Sequence, residues 1–196
     1  QEPIISVNVR GMKDSLFSAV WLTMLVVFIL LQNLRASVVV GVSIPLSFLS
    51  AFAFLYFTPF TLNMVTLSGL IIAVGMVVDA SIVVVENVYR HLENGESSLE
   101  KVVTGTEEVV FSIWGGMLTT VVVMIPIMVV GGYVQQVLRP LTMTISATLA
   151  GSFFAAVTIV PILLKKLLVD MHVKAEKLEA AEEDQKAGFF FTIINR

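Results

Sequence analysis

One carboxylate, Asp79, stands deep inside a long apolar stretch and is the strongest candidate for chemistry. It lies eleven residues before Arg90, which at 1.5 Å per helical residue is roughly 16 Å, about half the thickness of a bilayer's hydrocarbon core. An ionised Asp at that depth costs about 2.5–3.5 kcal/mol on insertion scales, so its side chain must face protein or water. Because an apolar setting favours the neutral carboxyl, such a group can take up and release a proton near neutral pH. The alternative is a carboxyl that stays protonated and bonded to a neighbouring Ser or Thr.

Three polar residues near Asp79 are candidates for a supporting role, namely Glu86, Asn87 and Ser81. Glu86 follows Asp79 by seven residues and so lies on roughly the same helix face. It is closer to the end of the apolar stretch, where a carboxylate reaches water or caps a neighbouring helix, so a structural role is as good an interpretation as a place in a proton path. No Lys, Arg or His occurs at the depth of Asp79 in any apolar stretch. We therefore expect any cationic partner of Asp79 to come from another polypeptide segment.

Composition excludes several classes of site. The chain is 57% hydrophobic and 14% charged, with a mean hydropathy of +0.92, which is far more apolar than soluble domains. The net charge is −3, with the acidic residues concentrated near the C-terminus, so there is no basic face to bind nucleic acid. The absence of cysteine excludes disulfides, thiolate metal sites and thiol nucleophiles. We predict no catalytic residue, cofactor or metal site, and therefore no enzyme.

Two recurring residue types in the apolar stretches are better explained by packing than by ligands. Small residues recur at four-residue spacing from Gly69 to Ala73 and from Ala147 through Gly151 to Ala155, a pattern typical of close helix contacts. Thioether side chains can bind monovalent copper, but Met is also a common apolar filler, and we favour that interpretation. The methionines concerned are Met76, Met117, Met124, Met128 and Met143.

Five stretches are long and apolar enough to form membrane-spanning helices, each of which needs roughly 20 residues. Pro45, Pro126 and Pro161 lie inside three of them and are tolerated, because neighbouring helices and hydroxyl side chains satisfy the freed backbone groups. The predicted fold class is an all-α integral membrane protein with about five transmembrane helices. The predicted spans are 15–31, 36–57, 62–88, 109–130 and 141–164.

The segments outside the spans suggest three regions. Residues 1–14 begin with an alternating pattern over 1–10 that predicts a short extracytoplasmic strand, without the features of a signal peptide. Residues 15–168 form the transmembrane domain, which includes a helix on the cytoplasmic membrane surface at about 97–107. That helix is predicted from the capping-box spacing of Ser97 and Glu100. Residues 169–196 form a charged cytoplasmic tail with an interfacial aromatic cluster at 189–191.

The distribution of basic residues predicts the orientation. If the loop at Arg35 and the loop from Arg90 to Lys101 lie on one side together with the tail that begins at Lys165, that side holds nine of the twelve basic residues. Cytoplasmic loops collect Lys and Arg. We therefore place these segments in the cytoplasm.

The third span carries a motif that resembles a known family. Residues 69–87, with the core Gly-Met-Val-Val-Asp-Ala-Ser-Ile-Val-Val-Val-Glu-Asn, resemble the fourth transmembrane helix of resistance-nodulation-division (RND) efflux transporters of the hydrophobe/amphiphile or heavy-metal type. The sequence Leu-Gln-Asn-Leu-Arg-Ala at 31–36 is similar to the turn joining their second and third helices. Four further segments of this chain resemble the ends of the fifth and sixth helices of that family: Ile125-Pro126, Gly131-Gly132, Arg139 and Val160-Pro161. The resemblance covers nearly all of 15–164.

This resemblance implies that the chain is half of an RND-type transmembrane domain, helices two to six of twelve. Asp79 would be the aspartate whose protonation drives an antiporter powered by the proton motive force. The remaining half of the transporter would supply the lysine partner. The assembly would be a multi-pass homotrimer in the bilayer of the bacterial inner membrane, working with a membrane fusion protein and an outer-membrane channel.

Two departures from the family pattern are visible. Ala80 occupies the place where many drug exporters have a second aspartate, and the porter domain expected between the first two helices is missing. We therefore expect the chain to be incomplete and inactive alone. The alternatives are a heavy-metal exporter, a SecD/SecF-like accessory of protein export and a structural membrane fragment without a transport cycle. The pair Glu86-Asn87 favours the efflux branch over SecD/SecF.

Overall fold

The computed structural model describes residues 2–93, 99–129 and 131–169, and in these ranges the chain is helical apart from short connections. Five of these helical stretches, including one from Gly132 to Leu167, are long and apolar enough to cross a membrane. This confirms the predicted all-α membrane fold. In chain order the elements are α1 (Glu2–Leu31), α2 (Leu34–Phe57), α3 (Met64–Glu93), α4 (Leu99–Val129), α5 (Gly132–Phe154), a first π-helical segment (Ala155–Ile159), α6 (Val160–Leu164) and a second π-helical segment (Lys165–Val169).

Polar side chains set the starts of α2 and α3. Gln32 has a φ of 48°, and Asn33 then caps α2 by accepting a hydrogen bond from the backbone N–H of Arg35 at 3.0 Å. Asn63 caps α3 in the same way through the N–H of Val65 at 2.9 Å. Because the first N–H groups of a helix have no partner inside it, these caps fix where each helix begins.

Glycine and proline shape the final span. Gly131, which precedes α5, and Gly132, its first residue, have φ values of 79° and 70°, a backbone region that glycine enters without steric cost. Further along, the N–H of Val160 bonds to the carbonyl of Ala155, five residues back. Pro161 explains this wider turn, because its ring displaces the carbonyl four residues earlier and it has no N–H to offer.

α5 packs against both α2 and α3 through small residues. A Cβ on Gly69 would lie 3.1 Å from the carbonyl oxygen of Leu141, and a Cβ on Gly151 would overlap Ser50. Ser50 in turn donates a hydrogen bond to the carbonyl of Ala147 at 3.1 Å. The interpretation of the small-residue pattern as helix contact is confirmed at these positions.

The buried core lies mainly on α2, α3 and the last span, whereas α1 and α4 are mostly exposed. Phe17 of α1 and Phe111 of α4 are 78% and 85% exposed. In a membrane such faces contact lipid or other protein segments, since lipid is as apolar as the side chains themselves.

The predicted strand at the N-terminus is wrong. The structure has helix from Glu2 onward, continuous with the first span. Once a span has nucleated a helix, each added residue gains one hydrogen bond, and Pro3 falls in the first turn, where its missing N–H costs nothing. The alternating pattern was too short to outweigh this propagation.

The separate surface helix is also corrected. α4 is a single helix of 31 residues, and its start at Leu99 runs into the fourth span without a break. Val102 and Thr106 are buried, and a Cβ on Gly105 would lie 3.1 Å from the Cα of Val88, so these first turns pack along α3. The proposed cap at Ser97 and the tail from residue 170 lie outside the described residues.

Candidate functional site

Asp79 lies at the middle of α3, where it is the sixteenth of thirty residues. Its neighbours Val77 and Val78 are buried in the helix bundle, with 0% and 2% exposure. Asp79 is exposed, because a step of one residue turns the side chain by about 100° around the helix axis. The carboxylate therefore leaves the apolar core and faces a groove between helices.

This groove, which we call the Asp79 groove, lies between α3, α4 and α5 and encloses about 280 Å³. Gly116 leaves room on the α4 side because it has no side chain. Phe153 of α5 lines the groove and also packs against Trp114 of α4 in a tilted arrangement, with ring centroids 5.3 Å apart. The lining residues are Met76, Asp79, Ala80, Val83, Ile113, Gly116, Met117, Thr120, Leu149, Ser152 and Phe153.

No described residue forms a hydrogen bond or an ion pair with the carboxylate of Asp79. The two hydroxyls in the groove donate elsewhere: Thr120 to the carbonyl of Gly116 at 3.0 Å and Ser152 to the carbonyl of Val77 at 2.6 Å. The site thus presents a carboxyl without a hydrogen-bond partner among the described residues, in a largely apolar groove. Chemically, such a carboxyl can bind and release a proton or receive a cation from another segment.

Glu86 lies on the same side of α3 as Asp79, as the seven-residue spacing predicts. It lines a separate cavity of about 160 Å³ together with Asn87, Arg90 and Val109. Val83 borders both this cavity and the Asp79 groove. The two carboxylates are therefore neighbours along one helix face, with the Val83 side chain between them.

Asn87 joins α3 to α4 instead of entering the groove. Its amide donates to the carbonyl of Gly105 at 2.7 Å and to the carboxylate of Glu108 at 3.1 Å. Glu108 also lies 3.3 Å from the imidazole of His91. Nδ1 of His91 is 3.0 Å from the carbonyl of Asn87, so the ion pair with Glu108 needs a doubly protonated ring. Because Glu108 is about half exposed, this pair adds little stability.

The side chain of Ser81 lies on a different face of α3 from that of Asp79. It is 0% exposed and lies two residues further along α3, about 200° around the helix, on the face that packs into the bundle. Its hydroxyl forms no hydrogen bond. Ser81 therefore cannot hold a protonated Asp79 in this conformation.

Sequence reasoning missed Ser152, His91 and Glu108. Ser152 follows Gly151 in the small-residue pattern, and a hydroxyl beside a close-contact glycine was the signal that it could reach a neighbouring helix. Glu108 and His91 lie outside the predicted spans 62–88 and 109–130, and no role was predicted for either. Their pairing depends on α4 running along α3, which the sequence did not reveal.

The methionines singled out in the sequence lie in different surroundings where the structure describes their contacts. Met76 and Met117 line the Asp79 groove, whereas Met124 packs near Ser146, with sulfur and hydroxyl 4.0 Å apart. Within residues 2–93, 99–129 and 131–169, no three His, Asp or Glu side chains come together as a metal site would require.

The family model that matches this sequence is that of the AcrB/AcrD/AcrF family, and the match covers residues 1–196. The chain belongs to the AcrB/AcrD/AcrF family. The RND resemblance noted from the motif around Asp79 is thereby confirmed, and five helices long and apolar enough to cross a membrane make the described part of the chain a multi-pass membrane protein.

Several AcrB/AcrD/AcrF relatives carry the name multidrug resistance protein MdtC. The chain is 37% identical over 163 residues to the protein from Escherichia coli O9:H4 (strain HS). It is 36% identical to those from Salmonella arizonae (strain ATCC BAA-731 / CDC346-86 / RSK2980) and Shigella flexneri. These matches cover 83% of this chain and 16% of the length of each relative.

Proposed function

We propose that this chain is part of the membrane domain of a proton-driven exporter and that Asp79 carries the coupling proton. The observation that carries the proposal is the carboxylate at the middle of α3, unpaired among the described residues and facing an open groove between three spans. A carboxyl in such a place marks an ion or proton pathway by default. Uptake of a proton removes the charge from the groove and so changes how closely α4 and α5 can approach α3.

Family membership supports the rest of the proposed assembly. The remaining half of the transporter supplies the cation that faces Asp79, and three copies assemble in the bacterial inner membrane. A membrane fusion protein and an outer-membrane channel complete the export route. The substrates are drug-like compounds, in keeping with the multidrug resistance name of the relatives.

The test is an export assay on the full-length transporter carrying Asp79→Asn. The amide keeps the shape and hydrogen-bonding capacity of the carboxyl but cannot titrate, so we expect export to be abolished while the protein remains in the membrane at normal or slightly higher abundance. The matched control is Glu86→Gln, the same change seven residues along the same helix face, which we expect to reduce export much less.

Two results would contradict the proposal. One is normal export by Asp79→Asn. The other is a loss of export that is fully explained by the disappearance of the protein from the membrane, since the carboxyl would then be structural.

A further inference from the structure

Most buried Ser and Thr hydroxyls in the described part of the chain bond to a carbonyl of their own helix, and two do not. Ten Ser and Thr side chains in the described part of the chain are buried. Eight of these hydroxyls donate to a carbonyl three or four residues earlier in the chain, as Thr106 does to Val102 at 2.7 Å. This back-bonding is the usual way for a helix to satisfy a hydroxyl away from water. The exceptions are Ser81 and Ser152.

Both exceptions involve the carbonyl of Val77. Ser152, 1% exposed on α5, reaches across to α3 and donates to this oxygen at 2.6 Å. Ser81 stands four residues after Val77, the position from which a serine normally donates to the same oxygen, yet its fully buried hydroxyl has no partner. A carbonyl oxygen has two lone pairs. The helical N–H of residue 81 uses one of them, and Ser152 takes the other.

We propose that Ser81 and Ser152 are alternative donors to the Val77 carbonyl and that they exchange when α5 moves relative to α3. Ser152 holds the oxygen when α5 lies against α3, as here, and Ser81 takes it when α5 withdraws. The carbonyl thus keeps its second hydrogen bond in both states, which lowers the free-energy difference between them.

The position of this exchange makes the two serines positioning residues for Asp79, a role that rests on the proposed function. Asp79 lies between Val77 and Ser81 in the same turn of α3, and Ser152 lines the Asp79 groove. A shift of α5 that releases Val77 therefore changes the width of the groove on the side of Asp79.

The last span contains an element that permits such a shift. The first π-helical segment begins at Ala155, three residues after Ser152. Wide turns of this type are frequent at functional sites, and a change between five-residue and four-residue hydrogen bonding rotates the preceding part of a helix. Ser152 lies in the part of α5 directly before the π-helical segment, which is the part that would rotate.

The test is a double-mutant cycle on the unfolding equilibrium of the full chain in bicelles. Ser81→Ala should raise the folding equilibrium constant, because it removes a buried hydroxyl without a partner. Ser152→Ala should lower it by less than about threefold while Ser81 is present. In the Ser81→Ala background the same change should lower it by about 3- to 18-fold, which correspond to the average and the largest value measured for hydrogen bonds between membrane helices. Equal effects in the two backgrounds would overturn the exchange.

Isosteric substitutions separate the hydroxyl from the shape of the side chain. Ser81→Thr keeps a hydroxyl, so in this background Ser152→Ala should lower the folding equilibrium constant by less than about threefold. Ser81→Val has no hydroxyl, so in this background Ser152→Ala should lower it by about 3- to 18-fold. Ser43, which donates to Val40 within α2 at 2.6 Å, provides the control: Ser43→Ala and Ser152→Ala should be additive. Identical behaviour of Thr and Val at position 81 would contradict the proposal.

A transport measurement links the exchange to Asp79. In the full-length transporter, Ser81→Ala should lower the turnover number severalfold with an unchanged KM, since it disfavours the withdrawn state, and Ser81→Thr should restore it. Unaltered turnover in Ser81→Ala would overturn the positioning role. If Asp79→Asn exported normally while the cycle remained non-additive, the proposed function would fail and the exchange itself would stand.

Discussion

The amide nitrogen of Asn87 lies 2.7 Å from the carbonyl oxygen of Gly105 and donates a hydrogen bond that ties α3 to the first turns of α4. The two helices approach closely here, because a Cβ on Gly105 would lie 3.1 Å from the Cα of Val88. This contact sets the position of α4 along α3, and with it the place where Gly116 and Thr120 meet the Asp79 groove.

Removal of this amide should loosen the two helices. We expect Asn87→Ala to lower the free energy of unfolding by about 1–2 kcal/mol, since it deletes one hydrogen bond to a carbonyl and one to a carboxylate. The measurement is equilibrium unfolding of the full chain. Ser112→Ala, a change on the exposed face of α4, is the control and should have almost no effect. Equal stability of the two variants would mean that Asn87 does not hold the helices together.

Close packing at Gly151 should make this position intolerant of any side chain. A Cβ there would overlap the side chain of Ser50 and lie 3.3 Å from the carbonyl oxygen of Ser47. Gly151→Ala should therefore force α5 away from α2 and destabilise the fold by about 1–3 kcal/mol. A Cβ on Gly115 would meet no atom of another helix within 4 Å, so Gly115→Ala should be neutral or stabilising. Thermal unfolding of both variants tests this difference, and a tolerated Gly151→Ala would contradict it.

The Asp79 groove should be blocked by a side chain from α4. Gly116 lines the groove and Gly115 does not. We expect Gly116→Leu to fill the space beside Asp79 and to slow the reaction of its carboxyl with an apolar carbodiimide by at least about tenfold, since the reagent must reach the group through the groove. Gly115→Leu is the control and should react at the rate of the unaltered chain. The argument fails if both variants react equally.

Topology can be tested by single cysteines, because the chain has none of its own. Leu34, the first residue of α2, is 67% exposed, and Leu62, in the α2–α3 connection, is 52% exposed. From the distribution of basic residues, Leu34→Cys should react with an impermeant maleimide only from the cytoplasmic side. Leu62→Cys should react only from the opposite side. Reversed labelling would invert the predicted orientation.

Hydrophobicity was sufficient to predict the number and order of the spans, because a membrane helix needs only length and apolar composition. It placed Asp79 at the middle of α3 and Glu86 on the same face. The ends were harder to place, since helices continue beyond the apolar residues: α3 runs to Glu93 and the last span begins at Gly132 instead of Leu141.

What the sequence could not predict depends on how the helices pack. Ser81 and Ser152 are both small polar residues in apolar helices, and although Ser152 follows Gly151 in the small-residue pattern, the sequence does not show which carbonyl either hydroxyl reaches. Only the approach of α5 to α3 decides that Ser152 bonds to Val77 and that Ser81 is left without a partner. The groove around Asp79 likewise depends on the absence of a side chain at Gly116, a residue that no sequence pattern distinguished.

Because α4 is one continuous helix, a tilt at one point of it displaces its distant end. The helix contains 31 residues, about 46 Å at 1.5 Å per residue, which exceeds the roughly 30 Å of a hydrocarbon core. Leu99 lies seventeen residues before Gly116, about 25 Å along the helix axis. A tilt of about 5° at the Asp79 groove therefore swings Leu99 by roughly 2 Å, if the helix moves as a rigid rod. A proton bound beside α4 would in this way displace Leu99 at the far end of the helix, outside the apolar layer.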